Sequence, residues 1–243
     1  MQSRQIIKNK KMKTLFIEGK YKGKVELTSN VLNFLKKYKK IGLYTTTQFN
    51  HKLSFVIKQL EDIGIEVISS KSERTNAKFQ ILGCDVYNEN LKLVKDVDAF
   101  LYIGDGNFHP TALVYSMVDS GKDKEVIVFN PIDNSMKILD KKDVEKVLMK
   151  KKANIRRFLM AKKIGVLITS KQGQSHFHYI EKLEKKFKDK EFYAFISNNI
   201  DFCEMENFPF VQVWVNTACP RLALEDVLNT EKSLVNVGDV LRL

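Results

Sequence analysis

The sequence has no long apolar run, few cysteines and few prolines. No stretch of its 243 residues approaches the ~20 consecutive apolar residues of a membrane-spanning helix, so we expect no membrane association. The basic N-terminus, residues 1–13, lacks the apolar core of a secretory signal, and we expect it to be disordered. Three cysteines, an odd number, argue against a disulfide framework. These absences favour a protein of the reducing cytoplasm.

Arginine is also scarce, although the chain has a net charge of +12. Only six of its 41 basic residues are arginines, the residue that gives nucleic-acid readers their bidentate contacts. The excess of lysine, as in residues 150–152, is typical of solvated helix surfaces. Two alternatives stay open, namely non-specific affinity for RNA and docking on an acidic or RNA-bound partner.

One pattern occurs twice along the chain. Residues 39–47 and 162–170 each form a short apolar segment that ends in hydroxyl residues, which predicts a strand. Each segment is followed by an amphipathic helix, predicted at 51–63 and 175–188, and by a second strand. Further strands are predicted at 65–69, 99–103, 126–130, 191–197 and 211–216. Strands that alternate with helices predict parallel sheets.

The pattern predicts an α/β protein of two related units, each a small parallel sheet flanked by helices. Helical periodicity over residues 140–161 predicts a helix that bridges the units, which we assign to residues 14–155 and 156–243. No linker rich in proline, glycine and serine separates them. The units should therefore pack together, with a cleft between them.

Two cysteines lie in settings that suggest a ligand role. Cys219 follows a predicted buried strand directly, and the carboxyl ends of parallel strands line the crevice where α/β proteins bind ligands. Cys84 lies in a similar polar break in the first unit. Two thiols from separate units suggest a shared metal or cluster site. The alternative is packing, because free cysteine is among the most buried residue types and no CxxC motif occurs.

Two loops have the composition of ligand-binding loops. In the first, Gly104 and Gly106 allow a tight turn and the close approach of a ligand, while His109 either contacts a substrate or satisfies local backbone groups. In the second, residues 169–174 follow a strand and precede a helix, so they either bind an anion with help from Lys171 or simply cap that helix.

The remaining candidate ligands are expected to be structural. His176 and His178 lie two residues apart, which on a helix points them in different directions, so we interpret both as surface residues. Cys203 lies in a connecting segment and is expected to be a buried packing residue.

Four segments, in this order and at this spacing, resemble the 2-(3-amino-3-carboxypropyl)histidine synthase family, whose archaeal members catalyse the first step of diphthamide biosynthesis. The resemblance covers roughly residues 38–243 and is to the family's second and third domains. The segments are residues 80–84, 104–110, 169–174 and 216–222.

The resemblance implies a radical transferase. Family members have three related α/β domains, each giving one cysteine to a central 4Fe–4S cluster whose fourth iron is left for S-adenosylmethionine. The reduced cluster cleaves the methionine Cγ–S bond, and the 3-amino-3-carboxypropyl radical adds to one histidine of translation elongation factor 2. The family works as a dimer, so a homodimer or a heterodimer with a homologous chain is expected.

Carried over residue by residue, Cys84 resembles the cluster ligand of the second domain and Cys219 that of the third. The two loops resemble the walls of the S-adenosylmethionine cleft. The cofactor-binding candidates are therefore Gly104, Asp105, Gly106, His109, Ser170, Lys171, Gln172, Gly173 and Gln174.

The family's first domain and its cysteine have no counterpart in this sequence. Residues 1–38 contain no cysteine and are too few for another such unit. Three outcomes stay open. Another chain supplies the third thiolate, or Cys203 is recruited, or the chain is a cluster-free accessory subunit that supports a complete catalytic homologue.

Overall fold

Two β-sheets, one formed by each half of the chain, make up the structure. The computed structural model describes residues 19–171 and 174–243. The disorder expected of residues 1–13 lies outside these ranges. Strands and helices alternate along the described residues, which confirms the α/β class. Among these residues, no helix combines the length and the apolar character needed to cross a bilayer.

The first sheet has five strands in the order β2-β1-β3-β4-β5. They are β1 (Lys40–Thr45), β2 (Glu66–Ile68), β3 (Ala99–Ile103), β4 (Val126–Asn130) and β5 (Ser135–Leu139). The first four strands pair in parallel, as the sequence predicts. The antiparallel β5 is an addition that the sequence analysis did not foresee. It follows a turn in which Asn134 adopts a φ of 59°, a conformation that asparagine tolerates.

Apolar side chains cover both faces of the first sheet. Along β1, Ile41 and Leu43 point to one core and Tyr44 to the other, because successive side chains of a strand point to opposite faces. The flanking helices are α1 (Ser29–Leu35), α2 (Thr47–Asn50), α3 (Leu53–Asp62), α4 (Asn88–Leu91) and α5 (Phe108–Asp119). The predicted helix at 51–63 is thus α3, preceded by the separate short turn of α2.

The second sheet has four strands, all parallel, in the order β7-β6-β8-β9. They are β6 (Lys163–Thr169), β7 (Glu191–Ser197), β8 (Val213–Asn216) and β9 (Leu234–Asn236). The short edge strand β9 was not predicted. Helices α7 (His178–Lys186) and α8 (Val237–Leu241) flank this sheet, and 3-10 turns occur at Cys203–Asn207, Pro220–Ala223 and Asp226–Asn229.

A long helix, α6 (Glu145–Met160), connects the two sheets after a 3-10 turn at Lys141–Val144. Its N-terminal half contributes Val147 to a core of the first sheet, and its C-terminal half contributes Phe158 to a core of the second. Leu224, from beyond β8, also packs in the core of the first sheet. The halves are therefore in direct contact. Their division at residue 155 stays a prediction.

Candidate functional site at the junction of the two sheets

The loop that carries Cys219 is held by the ends of two neighbouring strands. Asn216 and Asn236 are register partners at the ends of β8 and β9. The side-chain amide of Asn216 donates to the carbonyl of Cys219 at 2.8 Å, and that of Asn236 donates to the carbonyl of Pro220 at 2.9 Å. Because both asparagines are buried, the loop leaves the sheet along a defined path.

Cys84 and Cys219 lie side by side at the junction. Both are half-buried, and their thiols share a hydrogen bond in which Cys219 donates to Cys84. The two residues are far apart in sequence and come from different sheets. The structure thus brings together the two cysteines that the sequence analysis singled out, whereas their role as ligands stays a prediction.

The two thiols have different acidities because one holds the shared proton. The hydrogen bond from Cys219 lowers the pKa of Cys84 to about 6, burial opposes this shift, and the positive charge of Arg74 adds to it. The same hydrogen bond, together with burial, raises the pKa of Cys219. The lowered pKa favours the thiolate of Cys84, the form in which cysteine binds metals.

Arg74 is a site residue that the sequence analysis missed. Its Nη2 lies 3.2 Å from the sulfur of Cys84 and donates to the fully buried carboxylate of Asp85 at 2.6 Å. The same carboxylate accepts hydrogen bonds from the hydroxyl of Ser72 at 2.6 Å and from the backbone N–H of Leu82 at 3.0 Å. Asp85 therefore fixes both the loop that precedes Cys84 and the cation beside it.

A cavity of about 310 Å³ opens on the Cys84 side of the junction. Both sheets line it, with Arg74, Tyr87 and Cys84 from the first half and His176, Tyr179, Asn216 and Arg242 from the second. His176 is half-buried on the wall of this cavity, whereas His178 at the start of α7 is exposed. Because α7 begins only at His178, the two histidines do not share a helix.

A second cavity, of about 320 Å³, opens on the Cys219 side. Its polar lining includes Thr169, Lys171 and Gln174 from the predicted anion loop, and Phe108 contributes from the start of α5 in the first half. Ser170 lies beside it and hydrogen-bonds through its hydroxyl to the side chain of Asn198 at 3.1 Å. Gln172 and Gly173, the other candidates of this loop, lie outside the described residues.

The other predicted loop divides between two cavities. Phe108 faces the cavity of Cys219, whereas Asp105 and His109 line a third cavity of about 250 Å³ together with Thr46 and Gln80. The structure therefore does not bring Asp105 and His109 into one cavity with either thiol. Burial lowers the pKa of His109, against the opposing charge of Asp105, and favours the neutral imidazole.

Gly104 and Gly106 belong to the same loop for different reasons. A Cβ on Gly104 would lie 2.6 Å from the hydroxyl of Tyr102, so the backbone there must come close to a buried ring. Gly106 has a φ of 64°, a left-handed conformation that glycine adopts without strain. Both glycines thus shape the turn into α5.

The third cysteine is placed differently. Cys203 begins a 3-10 turn and is exposed, which corrects the expectation of a buried packing residue. Among residues 19–171 and 174–243, no set of three or more histidine, cysteine, aspartate or glutamate side chains is arranged to hold a metal ion. Iron–sulfur clusters are held by cysteine thiolates, and the described residues bring two cysteines together at the junction. A cluster needs more ligands than these two.

The sequence was compared with models of known protein families. Residues 3–241 match the family model described as "Putative diphthamide synthesis protein". The chain belongs to the diphthamide synthesis family. Its two sheets and the paired cysteines between them are therefore features of a family member.

Individual relatives in this family are longer than this chain. The chain is 30% identical over 203 residues to the 2-(3-amino-3-carboxypropyl)histidine synthase of Pyrococcus horikoshii, covering 82% of this chain and 56% of the relative. It is 26% identical over 238 residues to the enzyme of the same name from Methanocaldococcus jannaschii, covering 93% and 60%. The chain thus spans somewhat more than half the length of these relatives.

A solved structure shares the fold. The crystal structure of Dph2 from Pyrococcus horikoshii with a 4Fe-4S cluster matches with a TM-score of 0.70 and 28% sequence identity. The match covers 87% of this chain and 60% of that one. A relative with the same fold over most of this chain therefore holds an iron–sulfur cluster.

Proposed function

We propose that this chain is a subunit of the transferase of the first step of diphthamide biosynthesis. The reaction moves a 3-amino-3-carboxypropyl group from S-adenosylmethionine to a histidine of translation elongation factor 2. One observation carries the proposal, namely that Cys84 and Cys219 meet at the junction of the two sheets in a family with a cluster-bearing member.

In this function the thiol pair supplies two ligands of a 4Fe–4S cluster. A cluster held there would supply the electron for cleavage of the Cγ–S bond of S-adenosylmethionine. The chain's own contribution is to keep Cys84 deprotonated through the hydrogen bond from Cys219 and the charge of Arg74. A third thiolate is still required, because the family's clusters use three cysteines and two meet at this junction.

The cavity beside Cys219 is the proposed place of S-adenosylmethionine. Lys171 offers a charge for the carboxylate of the methionine moiety, and Asp226 offers one for its ammonium group. Phe108, Ile200 and Leu222 give apolar surface for the adenosine. Burying a charged ligand in a cavity requires such partners for each charge.

The proposed partners follow from the same chemistry. Elongation factor 2 is the protein substrate, and a homologous chain, identical or not, completes the site as a dimer. No specific nucleic-acid partner is proposed, since all but six of the 41 basic residues are lysines.

A second candidate function is that of a cluster-free accessory subunit. It is favoured by the absence, within the described ranges, of any set of three metal-binding side chains. In that function the chain docks on a complete catalytic homologue or on elongation factor 2. The thiol pair then stabilises the junction and binds no iron.

The deciding experiment is anaerobic reconstitution of the chain with iron, sulfide and excess dithiothreitol, whose thiolate can occupy the position of the third ligand. We expect stoichiometric iron and sulfide, together with a paramagnetic resonance signal of the reduced cluster that changes when S-adenosylmethionine is added. The matched control is Cys203→Ser, which removes a thiol away from the junction. If neither the unaltered chain nor the Cys203→Ser variant takes up iron, the first proposal is contradicted and the second is supported.

A further inference from the structure

Arg221 is a buried arginine two residues beyond Cys219. Only 4% of its surface is exposed, although its guanidinium carries a positive charge and five N–H donors. A charge so deeply buried must be neutralised and hydrogen-bonded. The partners of Arg221 therefore show what the burial achieves.

Glu225 neutralises the charge of Arg221. Its carboxylate accepts hydrogen bonds from Nε and Nη2 of Arg221, one turn away on the same segment. The hydroxyl of Tyr115 donates to the same carboxylate at 3.2 Å. This pairing leaves Nη1 of Arg221 free to bind elsewhere.

Nη1 of Arg221 crosses to the other half of the junction. It donates to the carbonyl of Gly83 at 3.0 Å and to the carbonyl of Phe108 at 2.8 Å. Gly83 is the residue immediately before Cys84. The backbone N–H of Arg221 also donates to the thiol of Cys219. Arg221 therefore contacts Cys219 itself and the residue that precedes Cys84.

The ring of Phe108 completes this contact. The guanidinium carbon of Arg221 lies 4.4 Å from its centroid, a cation–π distance. A Cβ on Gly83 would lie 2.0 Å from the same ring. The Cys84 loop thus approaches Arg221 closely only because residue 83 has no side chain.

A second arginine at the junction, Arg242, serves as a comparison. It also stacks on a ring, 4.5 Å from the centroid of Tyr87, and it binds the carboxylates of Glu89 and Asp119. None of its partners is adjacent in sequence to either thiol. Arg242 holds the halves together, whereas the contacts of Arg221 lie beside the thiols themselves.

We propose that Arg221 is a positioning residue that sets the separation of the thiols of Cys84 and Cys219. The positioning role itself does not depend on the proposed function. Only the identity of the group that the two thiols bind rests on that function. The planar fork of the guanidinium reaches a carboxylate on one side and two carbonyls on the other. The compact ammonium of lysine cannot bind the carboxylate and the two carbonyls at the same time, so lysine does not replace arginine at this position.

The test measures how readily the two thiols form a disulfide in the metal-free chain. In a Cys203→Ser background, the protein is equilibrated with reduced and oxidised glutathione. The thiolate of Cys84 displaces one glutathione thiolate from oxidised glutathione, and that of Cys219 displaces the second. The glutathione ratio at half-oxidation gives the effective concentration of one thiol at the other.

We expect Arg221→Met and Arg221→Lys each to lower this effective concentration by about tenfold, because charge-assisted hydrogen bonds that hold one loop against the other are lost. Arg242→Met is the matched control, since it removes a stacked, inter-sheet arginine of the same size. It should lower the melting temperature and leave the effective concentration unchanged.

Two results would overturn the proposal. One is an unchanged effective concentration in Arg221→Lys, and the other is an equal loss in Arg242→Met, which would mean that general loosening of the junction is enough. Arg221→Lys keeps a cation beside Glu225, so it gives a folded variant if Arg221→Met does not fold. Because no iron takes part, failure here is distinct from failure of the proposed function.

Discussion

The guanidinium of Arg74 donates to the buried carboxylate of Asp85 at 2.6 Å while lying 3.2 Å from the sulfur of Cys84. One cation thus compensates a buried charge and faces a thiolate. The arrangement links the stability of the loop to the acidity of the cysteine, and the two effects can be measured separately.

Arg74→Met should destabilise the protein by about 1–3 kcal/mol, because the buried carboxylate of Asp85 loses its cation partner. Arg74 is partly exposed, which limits the loss. Denaturant unfolding gives the free energy. The double variant Arg74→Met/Asp85→Asn should recover part of the loss, and a purely additive result would contradict a direct interaction.

The same Arg74→Met variant should raise the pKa of Cys84 above about 6, since a positive charge that favours the thiolate is removed. The rate of alkylation of Cys84 by iodoacetamide, followed against pH in the folded protein, gives this pKa. Because the hydrogen bond from Cys219 is the largest cause of the shift, Cys219→Ala should raise the pKa further than Arg74→Met does. The reverse order would contradict the assignment.

Gly83→Ala should destabilise the protein by about 1–3 kcal/mol, as overpacking commonly does. The new Cβ would lie 2.0 Å from the ring of Phe108, so the ring or the Cys84 loop must move. Gly19→Ala is the control, because no atom of the described residues lies within 4 Å of its Cβ position. Thermal unfolding measures both, and Phe108→Ala should relieve the Gly83→Ala defect if the clash causes it.

Cys84→Ser and Cys219→Ser should each abolish iron binding in the reconstituted chain, while Cys203→Ser should keep it. Two thiolates of the site lie at the junction, and the exposed Cys203 lies in a separate 3-10 turn. Iron content and visible absorbance give the answer. Full iron in Cys84→Ser would exclude this residue as a ligand.

His109 should titrate below its ordinary pKa of 6.5, because burial disfavours the imidazolium. A lowered pKa in the folded state means that stability is fully present above pH 6.5 and is lost as the pH falls through the folded pKa. His109→Gln should flatten this part of the stability profile. Nuclear magnetic resonance titration of the His109 ring measures the pKa, and a value above 6.5 would contradict the prediction.

The parallel strands could be predicted from the sequence, and so could the meeting of Cys84 and Cys219, because both depend on local sequence pattern. Buried strands read as continuous apolar runs, and Cys219 follows such a run directly. The edge strand β5 escaped notice because most of its residues are exposed. The turn residues before it, Asp133 and Asn134, were the available signal.

Partners from distant parts of the chain could not be predicted. Arg74 and Arg221 are buried or half-buried only because carboxylates and carbonyls of other segments meet them, and a basic residue in a lysine-rich chain suggests exposed surface. The division of the loop before α5 has a geometric reason. Neighbouring residues on a helix differ by about 100° in direction, so Phe108 and His109 face different cavities.

Helix α6 has a consequence for how the protein comes apart. It contributes side chains to the cores of both sheets, and the amide of its buried Asn154 donates to the carbonyl of Leu234 at 3.0 Å. If either sheet unfolds, one half of this helix loses the apolar side chains against which it packs. Heat or denaturant should therefore unfold both sheets in a single cooperative transition, and neither half should persist as a folded intermediate.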